Sequence, residues 1–182
     1  SLALFLSAKP AYSTEITPYT VLQKEEAFEL RHYPPMVLVT APYQRSNERN
    51  QAFRKLFKYI SGDNNDAEKI AMTAPVFMTD NNSAQNMSFV MPHHMDLESV
   101  PSPDDSSLEV ASTRHQVYAT VRFNGRLTNS NINKHRELLD RWIASKQFTV
   151  TGTAMTAGYN SPFTLPFLRR NEILIPVDVI QL

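Results

Sequence analysis

The stretch KIAMTAPVFM, residues 69–78, decides how this chain is read. It suits neither an amphipathic helix nor a plain strand. A thioether, a β-branched residue, a small residue and a proline follow one another. Pro75 has no N–H to give to a ladder, so it marks a strand edge or a bulge. A partial copy, TAMTAGYNSPF, occupies residues 153–163. Met155 lies 83 residues after Met72. The same spacing carries Arg31-His32 onto Arg114-His115, and Leu56, Tyr59 and Ile60 onto Leu139, Trp142 and Ile143. Three matches in one register imply two copies of one supersecondary unit, about residues 19–91 and 108–177, related by an approximate two-fold axis. Two copies of this length are too few and too long for a solenoid.

Within the first copy, residues 27–32 and 36–41 read as strands, bent apart by Pro34-Pro35. Phe53, Leu56, Phe57 and Ile60 then recur at helical spacing, with Ser46 as a candidate N-cap and Gly62 as a stop. Residues 70–78 and 87–91 read as strands. Residues 108–113 and 116–123 read as strands in the second copy. A helix over 131–146 follows, then strands over 149–157 and 172–177. Short connections favour antiparallel neighbours. The expected fold is α+β: a distorted antiparallel β-barrel of two pseudo-symmetric ββαββ halves, with two helices packed on the sheet. Pro75 and Gly158 stand at matching places, where each half would fold back at the two-fold axis; direct contact with a ligand is the other reading. The proline- and aspartate-rich stretch 91–107 reads as the linker of the duplication.

Composition narrows the function. The chain of 182 residues is long enough for one sizeable core without a metal or disulfide staple. It has no cysteine, which removes thiol catalysis and cysteine-ligated metal sites. Eighteen basic and eighteen acidic residues balance, so no global field draws nucleic acid or an anionic membrane. Residues 1–18 read as an arm. Its apolar run LALFLSA and following small residues resemble the end of a secretory signal, predicting export, most simply to a periplasm. An N-terminal strand or a disordered arm is the other reading, and the run is too short to span a bilayer.

No GxSxG, P-loop, dinucleotide glycine pattern or HExxH is present, and no carboxylate pair is suggested by spacing, so nothing supports a hydrolase. His32, in ELRHYPP, sits at a rigid strand end where an imidazole could meet a metal or bond a neighbouring backbone group. His115 and His135 read as solvated. His93-His94, between Met91 and Met95, could hold copper or zinc but sit in a loop. Met72 and the other strand methionines are core filler or lining for a large flat apolar ligand. Arg54 and Lys58 are one helical turn apart on one face, either solvated or facing carboxylates. Tyr159, Phe163 and Phe167 gather in a proline-bearing loop, as aromatics do around a ligand or simply over a core.

Taken in order, ELRHYPP, KLFKYISGDN, KIAMTAPV, TAGYNSPF and RRNEILIPV resemble the SOUL haem-binding family over nearly the whole chain. The resemblance implies a distorted barrel of two pseudo-symmetric halves and binding of haem or another tetrapyrrole, without enzymatic turnover. It implies an axial role for His32 in the R-H-Y context, a propionate contact from Lys58, and a pocket role for Tyr159. The chain departs from the family at Asn50, where a second basic contact is expected; Arg54 or Arg49 would have to replace it. The expected site is therefore His32, Arg54, Lys58, Met72, Tyr159 and Phe163, with His32 on the iron, in a groove between the first helix and the Tyr159 loop. The alternative is a small-molecule or partner-binding module on the same scaffold, with haem incidental.

Overall fold

The computed structural model describes residues 14–81, 84–161 and 163–179, so most of the expected export signal lies outside the described residues. Strands β1 (Glu15–Ile16), β2 (Thr20–Glu25), β3 (Phe28–Tyr33) and β4 (Val37–Tyr43) precede helix α1 (Arg49–Ile60). Strands β5 (Thr73–Ala74), β6 (Val76–Asn81) and β7 (Ala84–Val90) complete the first half. In the second half, β8 (Glu109–Ser112) and β9 (Gln116–Phe123) precede helix α2 (Asn129–Ser145). β10 (Thr149–Val150), β11 (Met155–Gly158) and β12 (Asn171–Asp178) follow it.

One sheet runs in the order β2-β3-β9-β12-β11-β6-β7-β4-β8, with β10 beside β12. Its ladders are antiparallel, while β1 and β5 form a separate parallel pair. The order is symmetric about the β6–β11 pair. β7 answers β12, β4 answers β9, and β8 answers β3. The first copy's strand after Pro75 and the second copy's Met155–Gly158 thus lie side by side at the centre of the molecule, with Val76 opposite Gly158. The repeated AMTA has an architectural role here. β5 pairs with β1, and pairing passes to β6 only after Pro75, which follows a cis peptide bond.

Two expectations need correcting. The sheet is not closed, because β2 and β8 remain edges, so the fold is a rolled open sheet and not a barrel. Nor do β3 and β4 pair, despite their short connection. They stand six strands apart in the sheet, which would be about 29 Å if it were flat. The chain from Tyr33 to Val37 spans at most about 14 Å. The sheet must therefore roll until its ends approach, and β8 to β9 imposes the same constraint. The two connectors touch where this happens. The Met36 N–H donates to Thr113 Oγ1 at 2.9 Å, and the Thr113 N–H donates to the Met36 carbonyl at 2.8 Å.

Smaller differences follow from local chemistry. Ser46 opens a 3-10 turn, and α1 starts three residues later with Glu48 at its cap position and no side-chain cap. The 149–157 strand breaks into β10 and β11 around Gly152, where an added Cβ would meet Pro176 at 2.9 Å. β2 was not anticipated, since TVLQKE is largely exposed and shows no apolar alternation.

Both helices cover one face of the sheet. α1 buries Ala52, Leu56, Tyr59 and Ile60 against β4 and β7; α2 buries Leu139, Trp142 and Ile143 against β9 and β12. The matched pairs Leu56/Leu139, Tyr59/Trp142 and Ile60/Ile143 are all buried. Each aromatic in this set sends its polar tip to an anchor. Tyr59 Oη donates to the Pro101 carbonyl at 2.7 Å, and Trp142 Nε1 donates to Glu25 Oε2 at 2.9 Å. α2 is capped by Thr128, whose hydroxyl accepts from the Asn131 N–H. A third cluster (Tyr33, Met36, Phe77, Val90, Tyr118, Ala157 and Leu174) fills the opposite face.

Candidate functional site

On α1 the apolar stripe is wider than the core needs. Leu56 is fully buried, yet its neighbour Phe57 is 51% exposed and stacks on Phe53 with ring centroids 6.2 Å apart. Phe57 and Ile60 at the end of α1 form one wall of an open groove. Ser61, Lys69, Ile70 and Met72 form the rest. Lys58 and Arg54 are exposed on the same helix, at i and i+4. Lys58 lies in the last turn, where a cation is favoured by the helix carbonyls. The groove thus combines an apolar floor with ammonium groups beside it.

The other expected residues lie elsewhere. His32 ends β3 and stacks on His115, its repeat partner 83 residues on, with ring centroids 5.3 Å apart and planes 11° from parallel. His115 Nδ1 is 3.3 Å from His32 Nε2. His32 is half-buried and lines none of the described cavities. Phe163 is 95% exposed, in a loop that lies over the turn before α2: the Gly125 N–H and Asn124 Nδ2 donate to the Pro166 and Phe167 carbonyls. Tyr159 packs with the third cluster, which includes Leu38. α1 packs on Val37 and Val39. Alternate residues of β4 face opposite sides, so the sheet lies between Tyr159 and α1. The residues expected around one groove are divided among four places, and Lys58, Arg54 and Met72 share the α1 side.

Tyr159 instead belongs to a buried polar network that sequence reading missed. Its hydroxyl donates to Glu172 Oε2 at 2.8 Å. Arg31 binds the same carboxylate through Nη1 and Nη2 at 2.7 and 3.0 Å, and Arg170 Nε adds a bond at 2.9 Å. The guanidinium groups lie over rings, Arg31 over Tyr19 at 4.1 Å and Arg170 over Tyr159 at 3.9 Å. Burial alone would raise the Glu172 carboxyl, but hydrogen bonds and charge from Arg31 and Arg170 hold it below the usual carboxylate range. Burial pushes the Tyr33 hydroxyl up to about 12 and raises that of Tyr159 further, so both stay protonated; Tyr159 donates to Glu172, and Tyr33 accepts from Arg31 Nη1. The signal in the sequence was partial: Glu172 is a charge at the head of the apolar run ILIPV, whereas Arg31 shares its strand FELRHY with Glu29 and His32.

A second cavity, of about 350 Å³, opens between the N-terminal ends of the two helices. It is lined by Tyr43, Arg49, Asn133, Arg136 and Thr156 among others, with no carboxylate among the described residues of its wall. Arg49 Nε is buried there with no hydrogen-bond partner among the described residues, whereas Arg136 is paired with Asp140.

The family follows from comparison with known sequences. A model of the SOUL haem-binding proteins matches residues 14–176, nearly the whole chain. The chain belongs to the SOUL family. No curated protein matches this SOUL chain. Solved structures share its fold at low identity. A hydrolase from Listeria innocua superposes with a TM-score of 0.66 at 9% identity, covering 85% of this chain and 93% of its own. The C-terminal domain of EcmrR gives 0.62 at 11% identity, covering 89% and 99%. These likenesses concern fold alone. Among the described residues, no helix of the SOUL chain is long and apolar enough to cross a membrane. The α1 groove fits the family ligand in kind, since a tetrapyrrole presents a flat apolar ring and carboxylates.

Proposed function

We propose that this SOUL protein binds haem or a related tetrapyrrole without transforming it, and serves as an exported carrier or buffer. The observation that carries the reading is the open groove beside exposed Phe57 and partly buried Met72, with largely buried Ile60 and Ile70 as its floor, Lys69 in its wall and Lys58 next to Phe57 on α1. Apolar contact with Phe57, Ile70 and Met72 would supply most of the affinity. Lys58, Lys69 and Arg54 would meet carboxylates. Bound haem would supply an iron centre; His32 lies apart from the α1 groove, stacked on His115, so it would ligate iron only if the macrocycle seats at the β3 end instead. The groove is open, which favours release. Glu172 is locked as an ion by two arginines and lines none of the described cavities, so it is a poor general acid and supports a non-enzymatic role.

A haem titration by visible absorption tests this on the wild type and on Phe57→Ala, Lys58→Ala and His32→Ala. One saturable equivalent that weakens in the α1 variants supports the reading, and a low-spin spectrum lost in His32→Ala adds the axial ligand. Absence of saturable binding in the wild type overturns the reading.

A second reading, a small-anion binding module, is favoured by the unpartnered Nε of Arg49 in the inter-helix cavity. Calorimetric titration with aromatic carboxylates, against Arg49→Leu, separates the two: binding abolished by that substitution supports the cavity, and no heat in the wild type excludes it.

A further inference from the structure

We propose that Glu15, His93 and His94 form a binding site for a divalent first-row transition-metal cation. The α1 groove and the haem reading do not use these residues. Glu15 comes from β1, 78 residues before His93. Two constraints hold it in place. β1 pairs with β5, and the Thr17 N–H and hydroxyl donate to the Ala74 carbonyl at 2.8 and 3.2 Å. The histidine loop is fixed from the other side, by the Met91 N–H donating to the Val37 carbonyl at 2.8 Å and by a turn from Pro92 to Met95. The His93 N–H donates to Glu15 Oε1 at 2.8 Å, and His93 Nδ1 lies 3.0 Å from the same oxygen.

One donor atom each from Glu15, His93 and His94 lies within 4.8 Å of the others, the one such cluster among the described residues. Bonds of about 2.0–2.1 Å in a tetrahedral site would set neighbouring donors roughly 3.3 Å apart. The Glu15–His93 spacing is already close to that, and His94 needs only a side-chain adjustment. His93 is 68% exposed at its side chain, so a cation can reach it, and Glu15 is about a third exposed. Two imidazoles and a carboxylate suit zinc and copper(II), with copper(II) bound more tightly by the general order of divalent affinities. Three protein donors leave a position for water. Met91, Met95 and Asp96 line the cavity beside Glu15 and His93, so thioethers and a further carboxylate border the site. A bound ion would cross-link residue 15 to the 91–95 loop and stabilise the folded form by mass action.

The test is calorimetric titration of the haem-free protein with zinc chloride or copper(II) chloride, alongside Glu15→Gln, His93→Ala and His94→Ala. Melting is recorded with and without metal. The expected result is one saturable equivalent, copper tighter than zinc, a raised melting temperature with metal, and affinity at least about tenfold weaker in each variant. The metal-free variants should melt within a few degrees of the wild type. No stoichiometric binding overturns the proposal. So does wild-type affinity in Glu15→Gln, which would leave only an exposed histidine pair and an ordinary ion pair to Glu15.

Discussion

Glu172 has no solvent exposure and accepts hydrogen bonds from Arg31, Arg170 and Tyr159. Its replacement by alanine would leave Arg31, itself 2% exposed, charged and short of its partner. A loss on the order of 3–5 kcal/mol is expected in urea unfolding, because removing one member of a buried pair exposes the full desolvation cost of the other. A loss under about 1 kcal/mol would show that Glu29 and water compensate Arg31. The network also sets an acid limit. The Glu172 carboxyl is held below its ordinary value of 4.5, so its contribution is fully present above that pH and is lost as pH falls below it. The stability gap between wild type and Glu172→Gln should therefore shrink when unfolding is measured at pH 3.5 instead of pH 6. An unchanged gap would mean that the carboxyl titrates alike folded and unfolded.

At the scale of elements, α1 carries two tasks on adjacent residues. Leu56→Ala should cost about 2–5 kcal/mol, as a fully buried leucine in a packed cluster. Phe57→Ala should cost about 0.5 kcal/mol or less and act instead on tetrapyrrole affinity. Thermal melts and haem titrations of the two variants should therefore show opposite patterns, and matching patterns would place Phe57 in the core. Both helices were legible in the sequence, since a 3.6-residue apolar period is local. The strand β9 was also legible, from its run of alternating and β-branched residues. β2 was not, because neither of its faces is substantially buried. Lys58, Arg54 and Met72 could be placed near one another because helix spacing is fixed. Tyr159 could not, because its direction depends on how the chain leaves β11, and its partner Glu172 is contributed by β12.

For the whole molecule, the repeat at a shift of 83 residues revealed the symmetry but not the pairing, since a ladder partner is chosen across the chain. In the sheet order, β3 of the first half lies beside β9 of the second, and β8 of the second lies beside β4 of the first. The third cluster draws on both halves, and each helix-side cluster is completed by the other half, the first by Leu108 and the second by Leu30. Unfolding should thus be a single transition. Trp142, the one tryptophan, reports from the second half, and far-UV circular dichroism reports from both. Their urea midpoints should coincide, and a separation would mean that the halves unfold independently.

The exchange of β3 and β8 also bears on how such a chain could be divided. Cut in the 91–107 linker, each fragment would keep a helix and its central strands but lack the neighbour that the other supplies. Mixed together, the two pieces are mutual templates, and non-covalent reassembly of the cut protein is the natural outcome. A single ancestral half would have met the same demand by exchanging leading strands with an identical copy. The linker then only makes permanent, and independent of concentration, an association that the sheet order already requires.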